Sequence, residues 1–239
     1  MSEPLIWLPP PSNLELEREE VHLWKASLDL APEEFAQLFD VLSEEERIRA
    51  KGFVFEKARN RFTAARGHLR KLVANYLETT PDKIKFKFGP MGKPALEGNT
   101  QLRFNLAHTG DLAIYAFALA SELGVDVEHT REGFGNPEIV GNYFSPKEQA
   151  EYGALAPDLQ EEAFYLGWTR KEAYVKAQGK GLQLPLDSFS VSLSPGQPAT
   201  LASPDAARWE LHSFCPQAGF FAALVVEGRK RSLRYLIWR

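Results

Sequence analysis

Twice along its length the chain runs through the same succession: a Ser-x-x-Glu cap, a long helix, a Gly-Lys loop and a strand hairpin. This duplication constrains the fold more than any other feature. In the first pass Ser43-Glu44-Glu45-Glu46 is a capping box. Ala58, Phe62, Ala65, Leu69, Leu72 and Tyr76 then recur at alternating spacings of four and three, one apolar stripe on a helix. A strand over 84–88 and the turn-forming segment Gly89-Pro90-Met91-Gly92-Lys93-Pro94 follow. Strands over 102–106 and 112–119 then flank His108-Thr109-Gly110-Asp111 as a hairpin. In the second pass Ser145-Pro146-Lys147-Glu148 caps a helical stretch with Phe164, Trp168, Lys171 and Val175. Gly179-Lys180-Gly181, a strand over 189–193 and a hairpin of 209–214 with 219–226 come next. Ahead of the first pass lie a strand over 21–28 and a helix opened by Pro32. The expectation is an α+β fold of two pseudo-symmetric lobes from an internal duplication. The lobes are 1–120 and 121–239, dividing near 118–123, with a ligand in the cleft between them.

The 239 residues are 44% hydrophobic and 25% charged, enough to bury a core without a covalent staple. The single cysteine, Cys215, forbids an internal disulfide and suits a reducing, cytoplasmic setting. It follows the apolar stretch 211–214 and reads as a buried, inert thiol. Residues 1–11 carry no basic n-region and no apolar run, so no signal peptide is expected. No window is apolar enough to span a membrane. A net charge of −4 disfavours general nucleic-acid binding. Yet 47–71 holds nine basic residues against the single acid Glu56. That local surface fits either an anionic ligand or partner, or a solvated helix face.

Four constellations can carry chemistry. Gly124-Val125-Asp126-Val127-Glu128 alternates as a strand and puts Asp126 and Glu128 on one face. Two adjacent carboxylates repel unless a cation sits between them, and oxygen-only ligands suit Mg²⁺. The other reading is a solvated strand face. In Trp168-Thr169-Arg170-Lys171-Glu172-Ala173-Tyr174-Val175-Lys176, Glu172 and Lys176 share a helix face. They form either a surface ion pair, or a third carboxylate and a phosphate-facing cation. His108, in Phe104-Asn105-Leu106-Ala107-His108-Thr109, is either structural or a donor to phosphate. Gly92-Lys93-Pro94 is a turn that brings backbone and charge towards a ligand, without Walker spacing.

Together these pieces resemble the 4′-phosphopantetheinyl transferase superfamily, in its monomeric surfactin-synthetase-activating class. Gly124 to Glu128 is similar to that family's first signature. Trp168 to Lys176, running into Gly179-Lys180-Gly181-Leu182 and Leu184-Pro185-Leu186, is similar to its second. The resemblance covers most of the chain and implies two pseudo-symmetric α+β lobes. It implies that Asp126, Glu128 and Glu172 bind Mg²⁺ with the coenzyme A pyrophosphate, and that Lys176 contacts that pyrophosphate. It further implies that Lys93, His108, Arg49 and Arg61 hold coenzyme A phosphates. Two positions depart from the family pattern. Ala107 and Thr109 stand where serines often flank the histidine. Glu46 stands where many relatives carry a basic residue one turn before Arg49.

The implied reaction moves the 4′-phosphopantetheine arm of coenzyme A to a serine of an apo acyl or peptidyl carrier protein, releasing 3′,5′-ADP. The serine proton needs a base. Glu148 fits by position but fits equally as the capping partner of Ser145, and Glu172 is the other candidate. Carriers of this kind are generally acidic, so a docking surface is expected on 47–71 or in the loop after Glu128, with Phe134. Carriers of fatty-acid, polyketide, nonribosomal-peptide and glycolipid synthases all fit the resemblance. A monomer is expected, because one chain builds its own cleft. The competing readings are a metal-dependent nuclease or phosphoesterase and a non-catalytic coenzyme A-binding module.

Overall fold

A computed structural model of the protein describes residues 5–131, 135 and 137–239. Strand β1 (Glu20–Ser27) leads into α1 (Pro32–Asp40), α2 (Glu44–Lys51) and α3 (Glu56–Tyr76). The short pair β2 (Phe86–Phe88) and β3 (Pro94–Leu96) precedes the long hairpin β4 (Leu102–Thr109) and β5 (Leu112–Leu119). Then come β6 (Leu123–His129), α4 (Pro137–Tyr143), α5 (Pro146–Ala154) and α6 (Pro157–Gln178). The chain continues through β7 (Ser190–Val191), β8 (Leu201–Ala202), β9 (Trp209–Phe214), β10 (Phe220–Glu227) and β11 (Ser232–Trp238).

The duplication is visible in the sheets. One has the order β11-β1-β5-β4 and the other β6-β10-β9. Without β11, each is an antiparallel trio whose middle strand comes last in the chain. Period 2 divides each strand between two layers. On β1, Trp24 and Ala26 face α3, while Val21 and Leu23 face the other sheet. On β6, Val125 and Val127 join that same inter-sheet core, together with Leu112, Ile114, Ala222 and Leu224. The result is four layers, helix on sheet on sheet on helix, with α3 and α6 outermost.

Both capping boxes form, Ser43 with Glu46 and Ser145 with Glu148. The repeat then goes deeper than the sequence showed. Glu46 also receives Arg66 Nε at 3.1 Å and Arg70 Nε at 2.5 Å, and Arg70 donates to the carbonyls of Pro81 and Ile84. Glu148 receives Lys171 Nζ at 2.7 Å, and Lys171 donates to the carbonyls of Leu186 and Phe189. In each lobe one buried carboxylate therefore ties the short helix to the long one, and a buried cation ties the long helix to the turn that follows it.

Three expectations need correction. Cys215 is exposed, because β9 ends at Phe214 and the thiol sits in the turn beyond, donating to Gln217 O. The strand expected over 189–193 shrinks to β7. The hairpin of β9 and β10 is not the last element, since β11 returns to pair in parallel with β1 from Glu20↔Ser232 to Ala26↔Trp238. Phe134 lies outside the described residues. No described helix is long and apolar enough to cross a membrane.

Candidate active site

Glycine at position 124 sets the geometry of the site. A Cβ there would stand 2.2 Å from Ala173 O and from Ala177 N, both backbone atoms of α6. Only a bare Cα lets α6 lie this close across β6. The crossing brings the helix segment holding Glu172 and Lys176 onto the strand that carries Asp126 and Glu128. Asp126 faces α6, because the alternate residues Val125 and Val127 are committed to the inter-sheet core. Gly179, in the left-handed region at φ 66°, ends α6 three residues past Lys176. Asn105 Oδ1 accepts from Val125 N at 2.9 Å and so joins β4 to β6.

Lys176 Nζ donates to Asp126 Oδ1 at 2.6 Å. Desolvation alone would lower the Lys176 pKa, but Asp126, Glu172 and Glu128 around it lift it above the ordinary lysine value. The lysine therefore stays charged at neutral pH. The Glu128 pKa is raised by burial and by Asp126, against the pull of Arg131 at 3.3 Å and Thr109 at 3.2 Å. Burial and Asp126 likewise raise Glu172, with Lys176 opposing. Glu172 makes no side-chain hydrogen bond to any described residue. It lines a cleft of about 550 Å³ with Lys93, Asn105, Leu106, Tyr143, Lys176 and Leu184.

The fit to a divalent cation rests on one further atom. Asp126 Oδ2 is buried and has no hydrogen-bond partner. An orphaned carboxylate oxygen at an acid-rich, oxygen-only site matches the chemistry of a hard cation. Among the described residues, however, no group of three or more acid, histidine or cysteine side chains stands close enough to hold a metal ion. The ammonium of Lys176 takes the place beside Asp126.

The remaining sequence-predicted residues are distributed unevenly. His108 is the penultimate residue of β4, at the surface. Desolvation first, then the charges of Lys176 and Arg61, lower its pKa. Arg61 Nε donates to Asp111 Oδ1 at 2.8 Å, and that bond is the first cause holding the Asp111 carboxyl below its usual range. Arg49 stands apart on α2, its guanidinium 5.2 Å from the Phe62 ring centre. The Lys93 ammonium is spent on three acceptors, Glu122 Oε2 and Leu123 O at 3.0 Å and Ala177 O at 3.2 Å, so its geometry favours a clamp between the Gly-Lys-Pro turn and the second lobe.

Glu148, the other candidate base, is wholly enclosed. It is 0% exposed, and its oxygens are taken by Ser145 N, Lys171 Nζ and Val191 N. A general base must reach its proton, and this carboxylate reaches only its own fold. Sequence reasoning missed Asp111 and Glu122; neither carries a local signal, since each finds its partner through the tertiary fold.

A charged lysine beside carboxylates at a cleft between two α+β lobes is an arrangement that phosphoryl chemistry can use. The profile of the 4′-phosphopantetheinyl transferase superfamily matches residues 122–225. A profile described as 4′-phosphopantetheinyl transferase, N-terminal, matches 24–121. The chain belongs to the 4′-phosphopantetheinyl transferase superfamily, and phosphopantetheinyl transfer is its activity. It is 36% identical over 225 residues to the 4′-phosphopantetheinyl transferase HetI of Nostoc sp. (strain PCC 7120), covering 93% of this chain and 94% of that one. It is 31% identical over 186 residues to the 4′-phosphopantetheinyl transferase Sfp of Bacillus subtilis (strain 168), covering 78% of this chain and 80% of that one.

Proposed function

We propose that the chain transfers the 4′-phosphopantetheine arm of coenzyme A to a serine of an apo acyl or peptidyl carrier protein, as a Mg²⁺-dependent monomer. The serine Oγ attacks the β-phosphorus that carries the pantetheine arm. The bridging P–O bond breaks, and 3′,5′-ADP leaves with the electron pair. Glu172 accepts the serine proton. Its place in the cleft, without a hydrogen-bond partner among the described residues, is the observation that carries this role. Lys176 neutralises the phosphoryl oxygens as charge shifts to the leaving group. Asp126, Glu128 and Glu172 would hold Mg²⁺, supported by the orphaned Asp126 Oδ2. When bound, the ion supplies charge neutralisation to the pyrophosphate. His108 and Arg61 are the better-supported phosphate contacts. Arg49 serves only if the nucleotide end extends to α2, and Lys93 acts by fixing the Gly-Lys-Pro turn.

The test is intact-mass spectrometry of apo carrier proteins incubated with the enzyme, coenzyme A and Mg²⁺. The expected result is a gain of one phosphopantetheine group, abolished by EDTA. No gain on fatty-acid or peptidyl carriers, with the enzyme folded, would overturn the acceptor assignment. Degradation of DNA under the same conditions would point to a phosphoesterase instead.

A further inference from the structure

The connection between α2 and α3 exposes apolar side chains that the fold does not require to be exposed. In Phe53-Val54-Phe55 the first ring turns inward onto Phe62, 5.3 Å between centres. The other two point out, Val54 at 90% exposure and Phe55 at 76%, with Ile48 of α2 also at 62%. Consecutive exposed apolar side chains such as Val54 and Phe55, with Ile48 exposed on the helix before them, are the kind of feature that marks an interaction surface. The charge around them is one-sided. Residues 47–59 carry five basic side chains and one acid, on a chain whose net charge is −4. The acid, Glu56, is paired with Arg59 at 3.2 Å. An apolar centre with a basic rim complements an acidic protein surface that carries an apolar anchor.

Ion pairs lead from the patch towards the site. Lys57 Nζ lies 3.7 Å from Asp111 Oδ2, and the other oxygen of Asp111 holds Arg61. The charges of Arg61 and Lys176 both act on His108. A protein seated on Val54 and Phe55 would therefore stand beside the line of cations that runs into the site.

We propose that Val54, Phe55 and Ile48, rimmed by Lys51 and Lys57, form the docking surface for the acidic protein that receives the phosphopantetheine arm, an inference that rests on the acceptor reading above. The apolar residues set how long the acceptor stays, and the lysines set how fast it arrives and how strongly salt slows it.

The test is steady-state kinetics with a carrier protein that the wild-type enzyme modifies, its concentration varied at saturating coenzyme A. Phe55 is the N-cap of α3 and makes no side-chain cap bond. Phe55→Asp supplies a preferred capping residue and so does not endanger the fold. The expected result for Phe55→Asp and for Val54→Asp is an acceptor KM raised roughly tenfold or more. The KM for coenzyme A, the turnover at saturating acceptor and the melting temperature should stay unchanged, or in Phe55→Asp the melting temperature should rise. Lys51→Glu should flatten the salt dependence of kcat/KM for the acceptor. An unchanged acceptor KM in folded Phe55→Asp would overturn the proposal. So would a wild-type dimer that Phe55→Asp dissociates, since a second copy would then be the occupant. Absence of wild-type transfer to every carrier would remove the acceptor reading itself and this surface with it, an outcome distinct from normal transfer that ignores the patch.

Discussion

Replacing Gly124 with alanine should lower the lobe's stability and its turnover together, through one displacement of α6. The new methyl carbon would lie 2.2 Å from Ala173 O and from Ala177 N, and 2.8 Å from the carbonyl carbon of Lys176, where ordinary contact begins near 3.4 Å. All three are backbone atoms, so no rotamer change relieves the clash, and α6 must withdraw from β6 by roughly 1 Å, as overpacked cores do. Overpacking of this kind costs about 1–3 kcal/mol. The upper end applies here, because a whole helix must shift, and ~3 kcal/mol lowers the melting temperature by roughly 6–12 °C in a protein of this size. The same withdrawal carries Lys176 away from Asp126, now 2.6 Å apart, and Glu172 with it. A misplacement of about 1 Å in reacting groups lowers turnover by roughly 100-fold. Thermal unfolding followed by circular dichroism, beside the carrier-modification assay, measures both effects on one preparation. A Gly124→Ala protein that melts within 2 °C or so of wild type and keeps its kcat/KM would refute the close-packing account of the site.

Three further outcomes follow from the same geometry. Glu148→Gln leaves Lys171 buried without its counter-charge and should lose about 3–5 kcal/mol in urea unfolding, while the folded fraction keeps its turnover; a fully stable variant with turnover down a thousandfold would return Glu148 to catalysis. Glu172→Gln should cut kcat by about 10²–10⁴-fold with little change in the melting temperature, and near-normal turnover would remove it as the base. The raised pKa values of Glu128 and Glu172 mean that their stabilising contribution is fully present when both are protonated and is lost as the pH rises through those elevated values. Mg²⁺ should therefore raise the melting temperature at pH 7.5 and have much less effect at pH 5; equal shifts at both would detach these carboxylates from the cation.

How much of this was legible depends on the range of the interaction. The stripe on α3, the capping boxes and the alternation of Gly124 to Glu128 are local patterns, and each formed. Glu148 was ambiguous for a physical reason: a helix cap and a general base both need a carboxylate near a helix start, and only burial tells them apart. Lys93 stood out as a cation in a turn, yet its partner Glu122 lies just ahead of β6, a contact that no spacing rule announces. The alternation of Leu233, Tyr235 and Ile237 was present in the sequence, but its parallel pairing with β1 has no turn residue to mark it. The deeper repeat, Glu46 with Arg70 and Glu148 with Lys171, was hidden because the cation changes from arginine to lysine between the lobes.

That parallel strand also fixes an order of assembly during synthesis. The first lobe's sheet needs β11, which lies roughly 200 positions after β1, so ribosomes adding about 5–20 residues per second take roughly 10–40 s to deliver it. Through that interval one side of β1 presents unpaired amides and carbonyls to whatever strand is nearby. The second lobe's three strands are all made before β11 appears, so the half of the enzyme translated first is the half whose sheet closes last.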